Sequence, residues 1–112
     1  MNVGTYSACG RDFRAAVETL SEISGLSRIR ISSIEPTTIP EELFSLMADS
    51  SHPLLPYLHI PLQSGCDRTL AAMKRHYDLA EVSSFVRTSS QAIPNRFLGT
   101  DLMAGFPDET AE

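Results

Sequence analysis

The order in which two hydrophobic periods alternate limits this chain more than any single residue does. Residues 12–25, DFRAAVETLSEISG, place Phe13, Ala16, Val17, Leu20 and Ile23 at three- and four-residue steps, with Gly25 where a helix-ending glycine belongs. RIRISSIEP then switches to a period of two. Ile29 and Ile31 share one face, Arg28, Arg30 and Ser32 the other, and Pro36 stops any helix. A second helix opens near Pro40, with Glu41 and Glu42 in its first turn and Leu43, Phe44 and Met47 inside, and fades at Ser50. A strand is expected over residues 57–62, where Leu58, Ile60 and Leu62 share one parity. Asp67 is expected to cap a short helix holding Leu70, Ala71 and Met73. Asp78 and Glu81 form an aspartate variant of the capping box, opening a helix with Val82, Phe85 and Val86 on one face that runs to about Ala92. RFLGTDLMAGFP reads as the last strand, NVGTY as a strand end, and DETAE as the first turn of a further helix. Met47, Met73 and Met103 are expected in the core.

Strands and helices that alternate in this way imply a parallel sheet with right-handed crossovers. A parallel sheet needs cover on both faces, which three or four strands with these helices supply poorly. The expected fold is therefore α/β: a partial (β/α) barrel with parallel strands. Residues 1–112 are read as one domain of it, truncated at both ends. Cut barrel edges expose strands and apolar helix faces, so self-association is expected.

Composition narrows the function. The chain is 42% hydrophobic and 21% charged, an ordinary globular balance. No apolar run reaches the ~18 residues of a membrane span, and no basic-then-apolar leader follows Met1, so a cytoplasmic protein without membrane partners is expected. A net charge of −5 argues against a free-standing nucleic-acid binder. Eight of the nine basic residues are arginine, the side chain suited to forked contact with carboxylate or phosphate. Cys9 and Cys66 are too few for a four-ligand metal site, and neither has a histidine beside it, so no metal ligand and no catalytic nucleophile is assigned.

In parallel α/β folds, chemistry gathers at the carboxyl ends of the strands. Glu35, then Gln63 and Ser64, then Asp101 and the turn Gly105-Phe106-Pro107 lie just beyond the expected strands, and Arg75 arrives from the helix after Gln63. A carboxylate can accept both hydroxyls of a ribose, a guanidinium can fork onto a carboxylate, and glycine admits close approach of a flat ligand. Together these are parts for holding a small amphoteric nucleoside. Singly, Glu35 reads equally as a loop residue, Gln63 and Ser64 as turn formers, and Arg75 as a surface arginine. Asp101 inside an apolar strand is harder to set aside, because a charge buried without a partner is costly. His59 lies opposite in parity to Leu58 and Ile60, which fits either a barrel lumen or a satisfied core histidine.

RIRISSIEP, LHIPLQSG, MKRHY and GTDLMAGFPDET, in this order and spacing, resemble the central domain of the radical S-adenosylmethionine methylthiotransferases. The resemblance covers roughly Asn2 to Glu112. It looks closest to the branch that converts threonylcarbamoyladenosine in tRNA to its methylthio form. The isopentenyladenosine branch typically differs where this chain reads SSIEP, and the ribosomal-protein branch departs further at LQSG. The resemblance implies an open radical-SAM (TIM-barrel-like) fold, S-adenosylmethionine at the strand ends, and [4Fe–4S] clusters. By similarity, Glu35 would meet the methionine amino group and Arg75 its carboxylate. Gln63 and Asp101 would bind the ribose hydroxyls. Ser64, Gly105, Phe106 and Pro107 would shape the ribose and adenine end. The family's CxxxCxxC cluster loop is not in this sequence, and tRNA would be bound by parts outside it, so the fragment itself is expected to be inactive. Family members usually carry glycine where this chain has Asp108. A radical enzyme with another substrate, or a non-catalytic module binding a nucleotide or protein, are the other readings of the same residues.

Overall fold

A computed structural model describes residues 2–110. Its centre is a parallel pair, β3 (Tyr57–His59) and β4 (Phe97–Gly99), in the register Tyr57↔Phe97, Leu58↔Leu98 and His59↔Gly99. The pairing continues beyond both strands. Gln63 N donates to the Asp101 carbonyl at 2.8 Å and Met103 N to the Gln63 carbonyl at 2.8 Å. On the other side of β3 runs the extended segment of residues 29–34, tied by a parallel bridge between Ile29 and Leu54 and by Ile34 N donating to the His59 carbonyl at 3.1 Å. Three parallel segments are thus present, and the described residues form no closed barrel.

The segment RIRISSIEP is not the regular strand its alternation predicts, and Pro56 is the reason. After the Ile29 bridge, the ladder needs the Leu55 carbonyl and the Tyr57 amide. Pro56 kinks the partner so that Tyr57 N donates to Leu55 O at 2.7 Å, which removes both groups from the ladder.

Helix α1 (Phe13–Ser21) begins as expected, with Asp12 Oδ1 accepting from Ala15 N at 2.9 Å, but ends before Ile23, which is 52% exposed. Helix α2 (Glu42–Ala48) buries Leu43, Phe44 and Met47. Helix α3 (Asp67–Ala72) starts one residue earlier than the cap assignment implied: Cys66 is the N-cap residue, and Asp67 Oδ1 instead accepts from Leu79 N at 2.8 Å. Asp67 therefore anchors the start of helix α4 (Leu79–Ala92), whose Asp78–Glu81 capping box is formed in full.

Near the amino end, NVGTY forms a single turn of 3-10 helix, Val3–Thr5, and not a strand end. Asn2 causes this, since its Oδ1 accepts from Gly4 N at 3.1 Å and competes with sheet pairing. A short hairpin follows, β1 (Ser7–Ala8) against β2 (Arg11–Asp12), turning on Cys9 and Gly10 with φ of 52° and 74°. Two successive left-handed residues suit the twist of a two-residue hairpin loop. At the other end, Asp108–Thr110 are not helical, and the remainder of DETAE lies outside the described residues.

Leu58 and Ile60 point from β3 into a core with Ile31, Ile34, Leu43, Phe44, Met47 and Ile93. Helices α2 and α4 close it, with the rings of Phe44 and Phe85 meeting edge-on at 6.0 Å. The opposite sheet face is open. There Arg30 lies 4.0 Å over the Tyr57 ring, Tyr57 stacks on Phe97 at 5.4 Å, and Phe97 remains 63% exposed. Met103, expected in the core, is exposed on the same open side. The molecule is a plate of 51 × 33 × 20 Å. Its radius of gyration of 15.6 Å exceeds the roughly 13 Å of a compact domain this long.

Candidate functional site

The end of β3 becomes polar because its backbone is held by groups that arrive from elsewhere. The Tyr77 hydroxyl donates to the Pro61 carbonyl at 2.6 Å. Gln63 adopts φ of 73°, a left-handed conformation that costs a non-glycine residue roughly 1–2 kcal/mol. Its two hydrogen bonds to the segment after β4 hold it there. Strain of this kind gathers at ligand sites. Ser64 is buried and its hydroxyl accepts from Cys66 N at 3.2 Å, so it shapes the turn that leads into α3.

Arg75 comes back over this turn. Its Nη1 lies 3.8 Å from Glu35 Oε1, a loose pairing for two partly buried charges. Its Nε is buried and, among the described residues, has no hydrogen-bond partner. A buried guanidinium donor without an acceptor costs about 1–3 kcal/mol unless something occupies it. Glu35 is fixed through its backbone: Asn2 Oδ1 accepts from Glu35 N at 3.2 Å and from the Thr38 hydroxyl at 3.0 Å. Tyr77 stands close enough to feel both charges. Burial pushes its phenol above the ordinary value, Arg75 opposes that shift, and Glu35 adds to it.

A second polar row crosses all three parallel segments. Ser33 Oγ lies 3.0 Å from His59 Nδ1, and His59 Nε2 lies 3.3 Å from Asp101 Oδ2. His59 thus faces the open side of the sheet, away from the core that Leu58 and Ile60 enter. The row has the residue types of an acyl-transfer triad, but the imidazole is reversed and the carboxylate is 63% exposed, which does not suit nucleophile activation.

Beyond Asp101, Gly105 has φ of 80° and begins the Gly105-Phe106-Pro107 turn. Glu109 Oε2 accepts from the N–H groups of both Gly105 and Phe106. Arg68 Nη2 reaches across from α3 to the Thr110 hydroxyl at 2.9 Å. Between them lies a cavity of about 200 Å³ bordered by Ser64, Cys66, Arg68, Thr69 and Glu109. The Cys66 thiol is drawn below its ordinary value, first by the Thr69 amide.

Of the residues singled out in the sequence, Glu35 and Arg75 come together, Gln63 pairs with the backbone of Asp101, and Ser64 lines the cavity that Glu109 closes. Asn2, Ser33, Tyr77 and Glu109 carried no assignment, because each acts through a partner that is set by the fold.

Residues 3–112 match the family described as the Radical SAM superfamily. The chain belongs to the radical SAM superfamily. Among curated proteins it is similar to the tRNA-2-methylthio-N(6)-dimethylallyladenosine synthase of Stutzerimonas stutzeri, 37% identical over 109 residues, covering 97% of this chain and 25% of that protein. The synthase of the same name from Aromatoleum aromaticum is 41% identical over 101 residues, covering 90% and 22%. That from Thermobifida fusca is 37% identical over 114 residues, covering 99% and 23%. The chain spans about a quarter of the length of these relatives. Their names carry dimethylallyladenosine, so they do not support the threonylcarbamoyladenosine branch that the resemblance suggests.

The residues present fit S-adenosylmethionine. The orphaned Nε of Arg75 offers a donor for a carboxylate, Glu35 offers an acceptor for an ammonium group, and Asp101 is an exposed acceptor on the same edge. They do not fit an iron–sulfur cluster: Cys9 sits exposed in the hairpin turn, and no three candidate ligands gather among the described residues. No helix among them is long and apolar enough to cross a membrane.

Proposed function

We propose that this chain is the cofactor-binding segment of an enzyme that adds a methylthio group to dimethylallyladenosine in tRNA. Residues 1–112 are then part of one partial (β/α) barrel, working in the cytoplasm, with cluster ligands and tRNA contacts supplied outside these residues. When bound, S-adenosylmethionine and [4Fe–4S] clusters supply the radical, methyl and sulfur chemistry. This chain's own residues bind and orient. Arg75 forks onto the methionine carboxylate through the donor it now leaves unused. Glu35 accepts from the methionine ammonium. Asp101 and Gln63 take the ribose hydroxyls. Gly105 admits the flat adenine, with Phe106 and Pro107 shaping its edge and Ser64 holding the turn beside it. By itself the segment carries no cluster thiolates and is inactive.

The observation that carries this reading is the buried, unpartnered Arg75 Nε beside Glu35, at the strand ends of a radical SAM chain. The test is mass spectrometry of tRNA nucleosides from a strain lacking the native full-length gene. Restoring the wild-type gene should restore the methylthio form of dimethylallyladenosine, and the Arg75→Ala gene should not. Restoration of methylthio-threonylcarbamoyladenosine instead, or of no methylthio nucleoside, would overturn it.

A further inference from the structure

We infer that His59 is a positioning residue that aims the Asp101 carboxylate at the cofactor ribose, with Ser33 fixing the imidazole; this rests on the reading of the site just given. Asp101 stands at an exposed strand end, where an unaided carboxylate turns freely about its side-chain bonds. His59 Nε2 lies 3.3 Å from one oxygen, Oδ2, an ion-pair contact outside aligned hydrogen-bond geometry that still restricts the carboxylate's rotation and leaves the other oxygen free for a ligand. The ring nitrogen that faces the carboxylate carries the proton, so Nδ1 presents a lone pair to the Ser33 hydroxyl 3.0 Å away. The carboxylate sets the tautomer, and the Ser33 contact fixes the ring plane.

Gly99 makes the reach possible. It lies directly opposite His59 in the parallel register. A Cβ there would stand 3.3 Å from His59 Cδ2 and 3.3 Å from the Tyr57 hydroxyl. Without that carbon, the imidazole lies across β4 and meets Asp101 two residues on. The row therefore ties the three parallel segments together at the level where the ligand is held.

The test uses the native full-length protein with its clusters loaded, titrated calorimetrically with S-adenosylhomocysteine and with its 2′,3′-dideoxy analogue. His59→Phe should weaken S-adenosylhomocysteine about tenfold, as loss of a charge-assisted hydrogen bond does, and leave the dideoxy analogue within about twofold. His59→Gln, whose side-chain amide reaches the position of Nε2, should recover most of the loss. Ser33→Ala, a milder change to folding, should weaken S-adenosylhomocysteine about threefold and the analogue not at all. Equal weakening of both ligands by His59→Phe, or of neither, would overturn the inference while Asp101→Asn still weakens S-adenosylhomocysteine. Asp101→Asn without effect would overturn the reading of the site as well.

Discussion

The Tyr77 hydroxyl donates to the Pro61 carbonyl at 2.6 Å, bolting the loop after α3 to the end of β3. Tyr77→Phe leaves that carbonyl without its donor and should cost about 1–3 kcal/mol in chemical denaturation. The phenol also sets a pH dependence. Burial, with Glu35 adding to it and Arg75 opposing, raises its folded pKa above the ordinary 10.0. A raised folded pKa contributes stability that is fully present below the unfolded value and is lost as pH rises through the folded one. Wild type should therefore lose stability more steeply than Tyr77→Phe as pH rises above ~10. Parallel pH profiles of the two proteins would refute the assignment.

Gln63 holds φ of 73°. Gln63→Gly relieves left-handed strain of roughly 1–2 kcal/mol and adds unfolded-state entropy of roughly 0.5–1 kcal/mol, so it should raise stability by up to about 1 kcal/mol. Gln63→Ala keeps the strain and should bring no gain. Thermal denaturation of both variants checks this. A Gln63→Gly protein less stable than Gln63→Ala would contradict it.

Asp108 has φ of 63°, in the left-handed region that favours glycine. Asp108→Gly should accordingly stabilise the chain by about 0.5–1 kcal/mol. The readout is the denaturation midpoint at unchanged slope, and a shift to lower denaturant would contradict the strain account.

Apart from Tyr6, the exposed large apolar groups among the described residues fall into two sets. Phe97, Leu102 and Met103 line β4 and the segment after it, and Leu20, Ile23 and Leu26 lie along and beyond α1. An open strand edge with apolar side chains is a template for pairing. The 112-residue chain alone should self-associate at micromolar concentrations in light scattering, and Leu102→Lys should reduce it. A monomer at all concentrations would refute this.

What the sequence disclosed was local. The Asp78–Glu81 capping box, the faces of α2 and α4 and the Leu58–Ile60 side of β3 follow from neighbours within a few residues, and they form as expected. What stayed hidden depends on distant partners. Asn2 meets Glu35, Asp67 meets Leu79, and Pro56 takes from residues 30–33 the ladder that their alternation promised. The site divides in the same way. Glu35, Arg75 and Asp101 were legible as residue types at strand ends, but the Ser33–His59–Asp101 row needed the register to appear.

The claim that this edge binds S-adenosylmethionine through Arg75 is tested most directly by calorimetric titration of the cofactor into the native full-length protein with its clusters loaded. Lysine keeps the charge of arginine and loses the fork. Arg75→Lys should bind about 10–100-fold more weakly than wild type at similar folding stability. Equal affinity in the two proteins would contradict the assignment of the buried guanidinium to the cofactor carboxylate.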